Sequence, residues 1–418
     1  MTLAKRVVLV AGTFSLSLLL YIDRVCISAA KDPIASDLEL NDTQMGWVLS
    51  AFALGYALFQ TPSGLLADRF GPRRVLTAVV AFWSLFTGLT GAAVNFFTLF
   101  LYRLVFGVGE AGAFPGIARA TFSWIPMRER GLVTGINFSG SRLGAAFALP
   151  AVAWMVGAFG WRTSFYFLAA VGFVWAVFWY VWFRDDPAQH RRISQRELEY
   201  ILSHRQKAEE APGHRISLRR LFGSGNMALA MTQYFCSNFT FFFCLTWLFP
   251  HVKSTYELGT VRAALYAAAP LLFGALGNWF SGALVDRIYH GGRWVRSRRI
   301  PAILGFFLAS AGLIGSAHMS SAFPAILFLS VAIFGADMTL SPSWSFCVDI
   351  GRKNAGAVSG TMNMAGNIGA FITALAFPYL KAWTGSVMPF FYLGAGLNAL
   401  AVIVWMRMRP DRPLEVSV

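Results

Sequence analysis

The stretch SLSLLLYIDRVCIS, Ser15 to Ser28, decides how the rest of the chain is read. It ends an apolar run that begins at Val7, and it carries Asp23 and Arg24 side by side. A charge inside a bilayer costs at least ~2.5–3.5 kcal/mol on insertion scales. The run is too long for a cleaved leader and lacks a small-residue cleavage site, so it reads as a retained membrane helix. The pair at its end then calls for a purpose.

Composition extends that reading to the whole chain. Of 418 residues, 56% are hydrophobic and only 13% charged, about half the charge of a soluble domain. Apolar runs recur from end to end, without the alternating ten-residue segments of an outer-membrane barrel. The expectation is an all-α polytopic membrane protein. At ~20 apolar residues per span, twelve helices begin near residues 7, 44, 75, 97, 131, 162, 227, 261, 300, 323, 355 and 388. Residues 1–183 form a first six-helix bundle and residues 227–418 a second. Residues 184–226 are a polar linker, in which Ser194 caps a short amphipathic helix.

A net charge of +15 suggests nucleic acid, but the positions of the charges favour a membrane explanation. With both termini in the cytoplasm, the cytoplasmic segments hold 26 of the 35 Lys and Arg residues. The outer segments hold Lys31, Arg162, Lys253, Arg262 and Lys381. That is the positive-inside distribution, and no nucleic-acid partner is expected; short loops, a compact linker and the lack of a targeting extension point to a bacterial inner membrane. Cys26, Cys236, Cys244 and Cys347 show no disulfide or metal spacing and read as packing residues. Asn41-Asp42-Thr43 is a glycosylation sequon in the first outer loop, best explained by chance. No sign of an obligate oligomer is present, so a monomer is expected.

The halves echo each other. GLLADRFGPRR (Gly64–Arg74) follows the second span and GALVDRIYHGGR (Gly282–Arg293) the eighth. Both contain G-x-x-x-D-R, where glycine permits close helix approach and aspartate can pair with arginine or a helix terminus. Gly64, Asp68, Arg69, Arg73, Asp286 and Arg287 are therefore expected to form gates that close one conformation. Arg119, near the end of the fourth span, joins them.

Through GLLADRFGPRR the chain resembles the major facilitator superfamily. Within it, the chain resembles the anion:cation symporter family, through YIDRVCIS, YRLVFGVGEAGAFPG, GWRTSFYFLAAVGFVWAVFWYVWFRDDP, ISQRELEYI, FFFCLTWLFP and SPSWSFCVDIGRKNAGAVSGTMNMAGNIGAFIT. That family includes bacterial carriers of galactonate, hexuronates and glucarate, and animal vesicular glutamate and sialic acid transporters. The resemblance implies two pseudo-symmetric six-helix bundles and transport of an organic anion. Two positions depart from the pattern. Cys26 stands where the family often has Asn, and Arg142 puts a cation near the middle of the fifth span.

Few other ionisable residues lie at membrane depth: Asp23, Arg24, Arg103, Glu110, Arg142 and Asp337. Such residues usually face a water-filled path. Arg103 and Glu110 lie two turns apart on one helix face, roughly 10 Å along the axis, with Gly107, Gly109 and Gly112 leaving room for a ligand or a close helix. Asp23 is turned about 100° from Arg24, so the two need not share a partner. Arg24 and Arg103 are expected to bind the anion through their planar forks, and Asp23 and Glu110 to carry the coupling proton. A proton on Glu110 would free Arg103; alternatively, Arg103–Glu110 and Asp23–Arg24 are static ion pairs. Tyr56, Gln233, Ser341, Ser343, Asn363 and Asn367 are neutral candidates for substrate hydroxyls or for helix–helix hydrogen bonds. Arg142 either binds a second carboxylate or pairs with Asp337 or Glu110, and Asp337 is either a second protonation site or the partner of Arg142.

The functional expectation is a proton-coupled importer of an organic anion, such as a sugar acid, using no cofactor beyond the proton. The alternative is an uncoupled anion or organic-phosphate exchanger. An enzyme is disfavoured, because no mid-span His and no Cys/His cluster exists. A transporter-like receptor would carry a long additional domain, which is not expected here.

Overall fold

The computed structural model describes residues 4–206 and 216–414. Among them every regular element is a helix. The first run is α1 (Lys5–Ala29), followed by the short α2 (Lys31–Asp37). Then come α3 (Asp42–Phe70), α4 (Pro72–Gly91), α5 (Phe96–Glu110), α6 (Ala113–Trp124), α7 (Arg130–Phe159) and α8 (Trp161–Trp182). The linker contributes α9 (Gln195–His204) and α10 (Leu218–Gly223). The remainder is α11 (Gly225–Thr246), α12 (Leu248–Thr255), α13 (Thr260–His290), α14 (Trp294–Ala317), α15 (Ala322–Met338), α16 (Leu340–Gly351), α17 (Ala355–Thr384) and α18 (Met388–Arg407). Taking α5 with α6, α11 with α12 and α15 with α16, the membrane helices among the described residues number twelve, as the hydropathy predicts.

Local chemistry sets the boundaries. Asn41 and Asn95 each close a capping box at the start of α3 and α5. Gly71 and Gly160 turn the chain at φ +80° and +82°, a left-handed conformation that glycine adopts without a Cβ penalty. Ser194 accepts from the Glu197 amide at 3.2 Å, which is the predicted cap of α9. That helix is held by its acid. The Glu197 carboxylate accepts from the Lys5 and Arg6 amides at 3.0 and 2.9 Å, filling two of the orphan donors at the start of α1.

The contacts divide the chain into two compact units. Unit 1 comprises Met1–Pro126, Leu143–Arg215 and Gly351–Thr361; unit 2 comprises Met127–Arg142, Ile216–Ile350 and Met362–Val418. In unit 1, α3 packs on α5 and α4 on α8. In unit 2, α15 packs on α13 and α14, and α18 on α11 and α14. Helix α8 shows how an all-apolar helix is used. Its Trp161, Phe165, Leu168, Gly172, Trp175 and Trp179 are buried, while Phe167, Val171, Val174 and Val181 are exposed. An apolar face left open on a helix that is apolar all round suits a lipid solvent.

The fourth and tenth spans are both interrupted, at Ala111–Gly112 and at Thr339. Glu110 ends α5, and Asp337 lies one residue before the end of α15. The glycines near the first break serve close packing. A Cβ at Gly107 would run into the Phe52 backbone, and one at Gly109 into Phe82 and Trp83. Gly107→Val should therefore lower the thermal midpoint of the detergent-solubilised protein, by the equivalent of about 1–3 kcal/mol of overpacking. Gly157→Ala, where a Cβ meets open space, should not lower it.

Candidate functional site

In unit 1 the Asp23–Arg24 pair is split between two directions, as the 100° rotation predicts. Asp23 is buried and accepts from Trp83 Nε1 of α4 at 3.1 Å. Its Oδ1 has no hydrogen-bond partner among the described residues. Arg24 turns the other way and donates from Nε to Glu110 Oε2 at 2.5 Å. Its guanidinium carbon lies 4.9, 5.0 and 4.3 Å from the ring centroids of Tyr21, Phe52 and Tyr56. Tyr56, a substrate-binding candidate, is thus part of an aromatic enclosure around this cation. Arg24 Nη2 and Glu110 Oε1 are buried without hydrogen-bond partners among the described residues.

One expectation is corrected here. Glu110 forms its ion pair with Arg24, across helices, rather than with Arg103 on its own helix. Two turns of separation keep Arg103 and Glu110 apart, whereas α1 brings Arg24 directly against the carboxylate. Arg103 is 1% exposed, and among the described residues its Nε and Nη1 have no hydrogen-bond partner. It lies 4.3 Å from the Phe106 ring centroid and 5.6 Å from that of Phe52. Cation–π contacts offset part of its desolvation but use none of its donors.

Unit 2 holds a second buried pair. Arg142 meets Asp337 with both arms of its fork, Nε to Oδ2 at 2.7 Å and Nη2 to Oδ1 at 2.6 Å. Asn278 Nδ2 adds a 3.3 Å bond to Oδ2, and the Phe241 ring centroid lies 3.5 Å from the guanidinium carbon. Of the alternatives open for Arg142, pairing with Asp337 is the one observed. The neutral candidates are also engaged within the unit. Gln233 donates to Ala230 O and accepts from Ser343 and Trp405. Ser341 donates to Gly131 O, Ser343 also to Thr339 O, and Asn367 to Asn363 O.

The repeated motif builds the same contact twice. Asp68 accepts from the Gly356 and Ala357 amides at 2.9 and 2.7 Å, at the start of α17 in unit 1. Asp286 accepts from the Gly131 and Leu132 amides, both at 2.8 Å, at the start of α7 in unit 2. In each case a carboxylate takes the free amides of a helix N-terminus, where the helix dipole favours negative charge. Gly64 and Gly282 are the glycines a Cβ would push into the partner backbone. Arg119 lies 3.8 Å from Asp68 and donates to Ser123. Arg73 binds Tyr180 O through its side chain and Asp185 through its amide. Burial raises the Asp185 carboxyl above its ordinary value, against the hydrogen bond from the Arg73 amide and the nearby arginine charges. Arg69 and Arg287 are exposed, with Arg69 over the Phe70 ring.

Sequence reasoning missed Asp349. Arg130 and Arg298, assigned by position to polar loops, are 0% exposed and converge on it. Arg130 Nη1 is 2.6 Å from Oδ1, Arg298 Nε is 2.9 Å from Oδ2, and Trp294 Nε1 adds a 3.0 Å bond. The available signal was Asp349 itself, an acid closing the apolar run SPSWSFCVDIG.

The Major Facilitator Superfamily profile matches residues 13–374. The chain belongs to the major facilitator superfamily. It is 37% identical to a protein of Cupriavidus necator described as a probable sulfoacetate transporter, SauU, over 91% of this chain and 89% of that one. It is 30% identical to the probable galactarate/D-glucarate transporter GarP of Escherichia coli K12, over 86% and 84%. Among solved structures, the proton:xylose symporter XylE shares the fold at a TM-score of 0.76, with 14% identity over 96% of this chain and 95% of that one. The superfamily chain is a multi-pass membrane transporter and not an enzyme.

The Arg142–Asp337 pair gives a direct test of what buried charge costs here. Asp337→Ala leaves Arg142 without its carboxylate and should destabilise the protein by about 3–5 kcal/mol in denaturant unfolding. The double variant Arg142→Met/Asp337→Leu should recover most of that loss. Equal destabilisation by the single and double variants would mean the pair is not the source of the cost.

Proposed function

We propose that the protein imports a small organic dianion together with protons, by alternating access. Arg103 carries this reading: a fully buried guanidinium with two hydrogen-bond donors unused, on the helix that bears Glu110. An unpaired buried cation is expensive to keep, and an arriving anion repays it. Arg24 supports it with an unused Nη2 and a second donor, Nε, occupied by Glu110.

The coupling follows from that sharing. Ionised Glu110 holds Arg24 Nε. A proton on Glu110 removes the negative charge, weakens that bond and turns the Arg24 fork toward the substrate. Asp23, with its free Oδ1, is the second proton acceptor. Arg24 and Arg103 balance Asp23 and Glu110 in formal charge, so each protonation uncovers one positive charge. Two such steps match a dianion, and sulfoacetate and galactarate are both dianions at neutral pH.

Between these two, the geometry favours the compact one. Gln233, Ser341, Ser343 and Asn367, the residues that would hold a polyol chain, are hydrogen bonded within unit 2. A carboxylate or sulfonate held by Arg24 and Arg103 does not need them. The basic residues flanking the spans support an inner-membrane location with both termini in the cytoplasm, and the protein is proposed to act as a monomer.

Uptake of labelled sulfoacetate, galactarate and glucuronate into proteoliposomes tests the proposal. An inward gradient of one pH unit should drive accumulation of sulfoacetate by up to about tenfold per coupled proton. Glu110→Gln should lose accumulation and retain exchange. Uptake indifferent both to the gradient and to Glu110→Gln would refute proton coupling and favour the uncoupled anion exchanger.

A further inference from the structure

Away from the transport residues, unit 2 has a cavity of about 900 Å³ where the linker meets the end of the chain. Its charged lining is five arginines: Arg219, Arg220, Arg407, Arg409 and Arg412. Arg409 is paired with Asp411, at 3.3 Å, on the exposed side. The side chains of Arg219, Arg407 and Arg412 make no hydrogen bond among the described residues and are exposed. Among the described residues, five like charges around one hollow repel each other, and one exposed aspartate does not balance them.

The hollow is nevertheless built rather than accidental. Asn226, at the start of α11, donates to the carbonyls of Arg409 and Arg412 at 2.9 and 3.1 Å and accepts from the Arg409 amide at 3.1 Å. Arg299 donates from Nε and Nη2 to Met408 O at 2.9 and 2.7 Å. The Leu414 amide donates to Ile350 O at 3.0 Å. The chain after α18 is therefore fastened at four places, and the fastenings hold Arg407, Arg409 and Arg412 around the cavity. Ordering a turn costs ~1–2 kcal/mol per residue in backbone entropy, which a solvated charged tail would not need to bear.

The apolar surroundings indicate what fills it. Helix α10 buries Leu221 at 0% exposure, while Leu218 and Phe222, one turn apart on another face, are 51% and 46% exposed. Met406, next to Arg407, is 56% exposed. Arginines line the hollow, and exposed apolar side chains adjoin its lining residues in sequence, Leu218 and Phe222 beside Arg219 and Gly223 and Met406 beside Arg407; at the end of membrane helices, that combination matches a molecule with a phosphate at one end and hydrocarbon at the other. Basic pockets at this level of a membrane protein attract anionic headgroups, and the guanidinium fork is well shaped for phosphate oxygens.

We propose that this cavity binds the phosphate headgroup of an anionic phospholipid in the linker-side leaflet, with its acyl chains along Leu218, Phe222 and Met406. The site is separate from the transport residues, and its occupancy ties the linker and the chain end to the membrane surface. Free phosphate shares the headgroup chemistry and lacks the hydrocarbon.

The test is native mass spectrometry of the full chain released from micelles doped with phosphatidylglycerol or phosphatidylcholine, for the wild type and for Arg219→Gln/Arg407→Gln/Arg412→Gln. Thermal unfolding of the same samples, with and without added lipid, reports whether the variant is folded. The wild type should retain phosphatidylglycerol over phosphatidylcholine, and the triple variant should lose at least about fivefold of that retention. Added phosphatidylglycerol should raise the unfolding midpoint of the wild type more than that of the variant. If the triple variant proves unfolded, Arg412→Gln alone is read in the same way, with a smaller loss. Equal retention of the two lipids, or retention unchanged in a folded variant, would overturn the proposal. Stabilisation by inorganic phosphate alone, with displacement of the lipid, would also overturn it, because the site would then take soluble phosphate.

Discussion

The structure depends on one constraint: a charge buried among the helices must be matched there or it must have a use. Arg24 is matched by Glu110, Arg142 by Asp337, and Arg130 and Arg298 by Asp349. Each match joins different helices, so each also fixes how those helices pack. Buried pairs contribute little stability for their desolvation cost, and a chain selected only for stability would place apolar residues at these positions. Arg103 goes further: among the described residues no carboxylate lies within ion-pair distance of it, Glu110 and Asp23 act on it only from farther off, and its Nε and Nη1 make no hydrogen bond. It is the position where the constraint points outward, to a ligand.

The two units treat this constraint differently. Both have an interrupted span, with Glu110 at one break and Asp337 beside the other, and in both the acid is met by an arginine from another helix. In unit 2 the pairing uses both oxygens of Asp337 and both arms of Arg142, with Asn278 adding a further bond. In unit 1 it uses one bond and leaves Glu110 Oε1 and Arg24 Nη2 unsatisfied. The first arrangement is a fastening. The second has spare capacity for a proton on one partner and an anion on the other, and on that difference the proposed coupling rests.

Much of this was legible in the sequence, for identifiable reasons. Hydropathy places spans by solvent requirement, and starts predicted near 97, 131, 162, 355 and 388 fall at Phe96, Arg130, Trp161, Ala355 and Met388. The repeated G-x-x-x-D-R announced Asp68 and Asp286 as equivalent, and both accept from two amides at a helix start. The rotation between adjacent helical residues anticipated that Asp23 and Arg24 would part. Partner choice was not legible. Spacing along α5 suggested Arg103 for Glu110, but ion pairing is decided by which neighbouring helix comes closest, and α1 does. Arg130 and Arg298 resembled loop charges because their partner, Asp349, lies far off in sequence. The hydroxyl and amide candidates of unit 2 could equally bind substrate or hydrogen bond within the bundle, and spacing along one helix does not say which atoms they meet.

The central claim is that Arg103 holds the transported anion. Isothermal titration of the detergent-purified protein with sulfoacetate, comparing the wild type with Arg103→Gln, tests it most directly. Removing a buried charge partner costs about 2–5 kcal/mol, so the variant should bind at least about thirtyfold more weakly while unfolding at an undiminished temperature. A folded Arg103→Gln protein that binds sulfoacetate as tightly as the wild type would contradict the account.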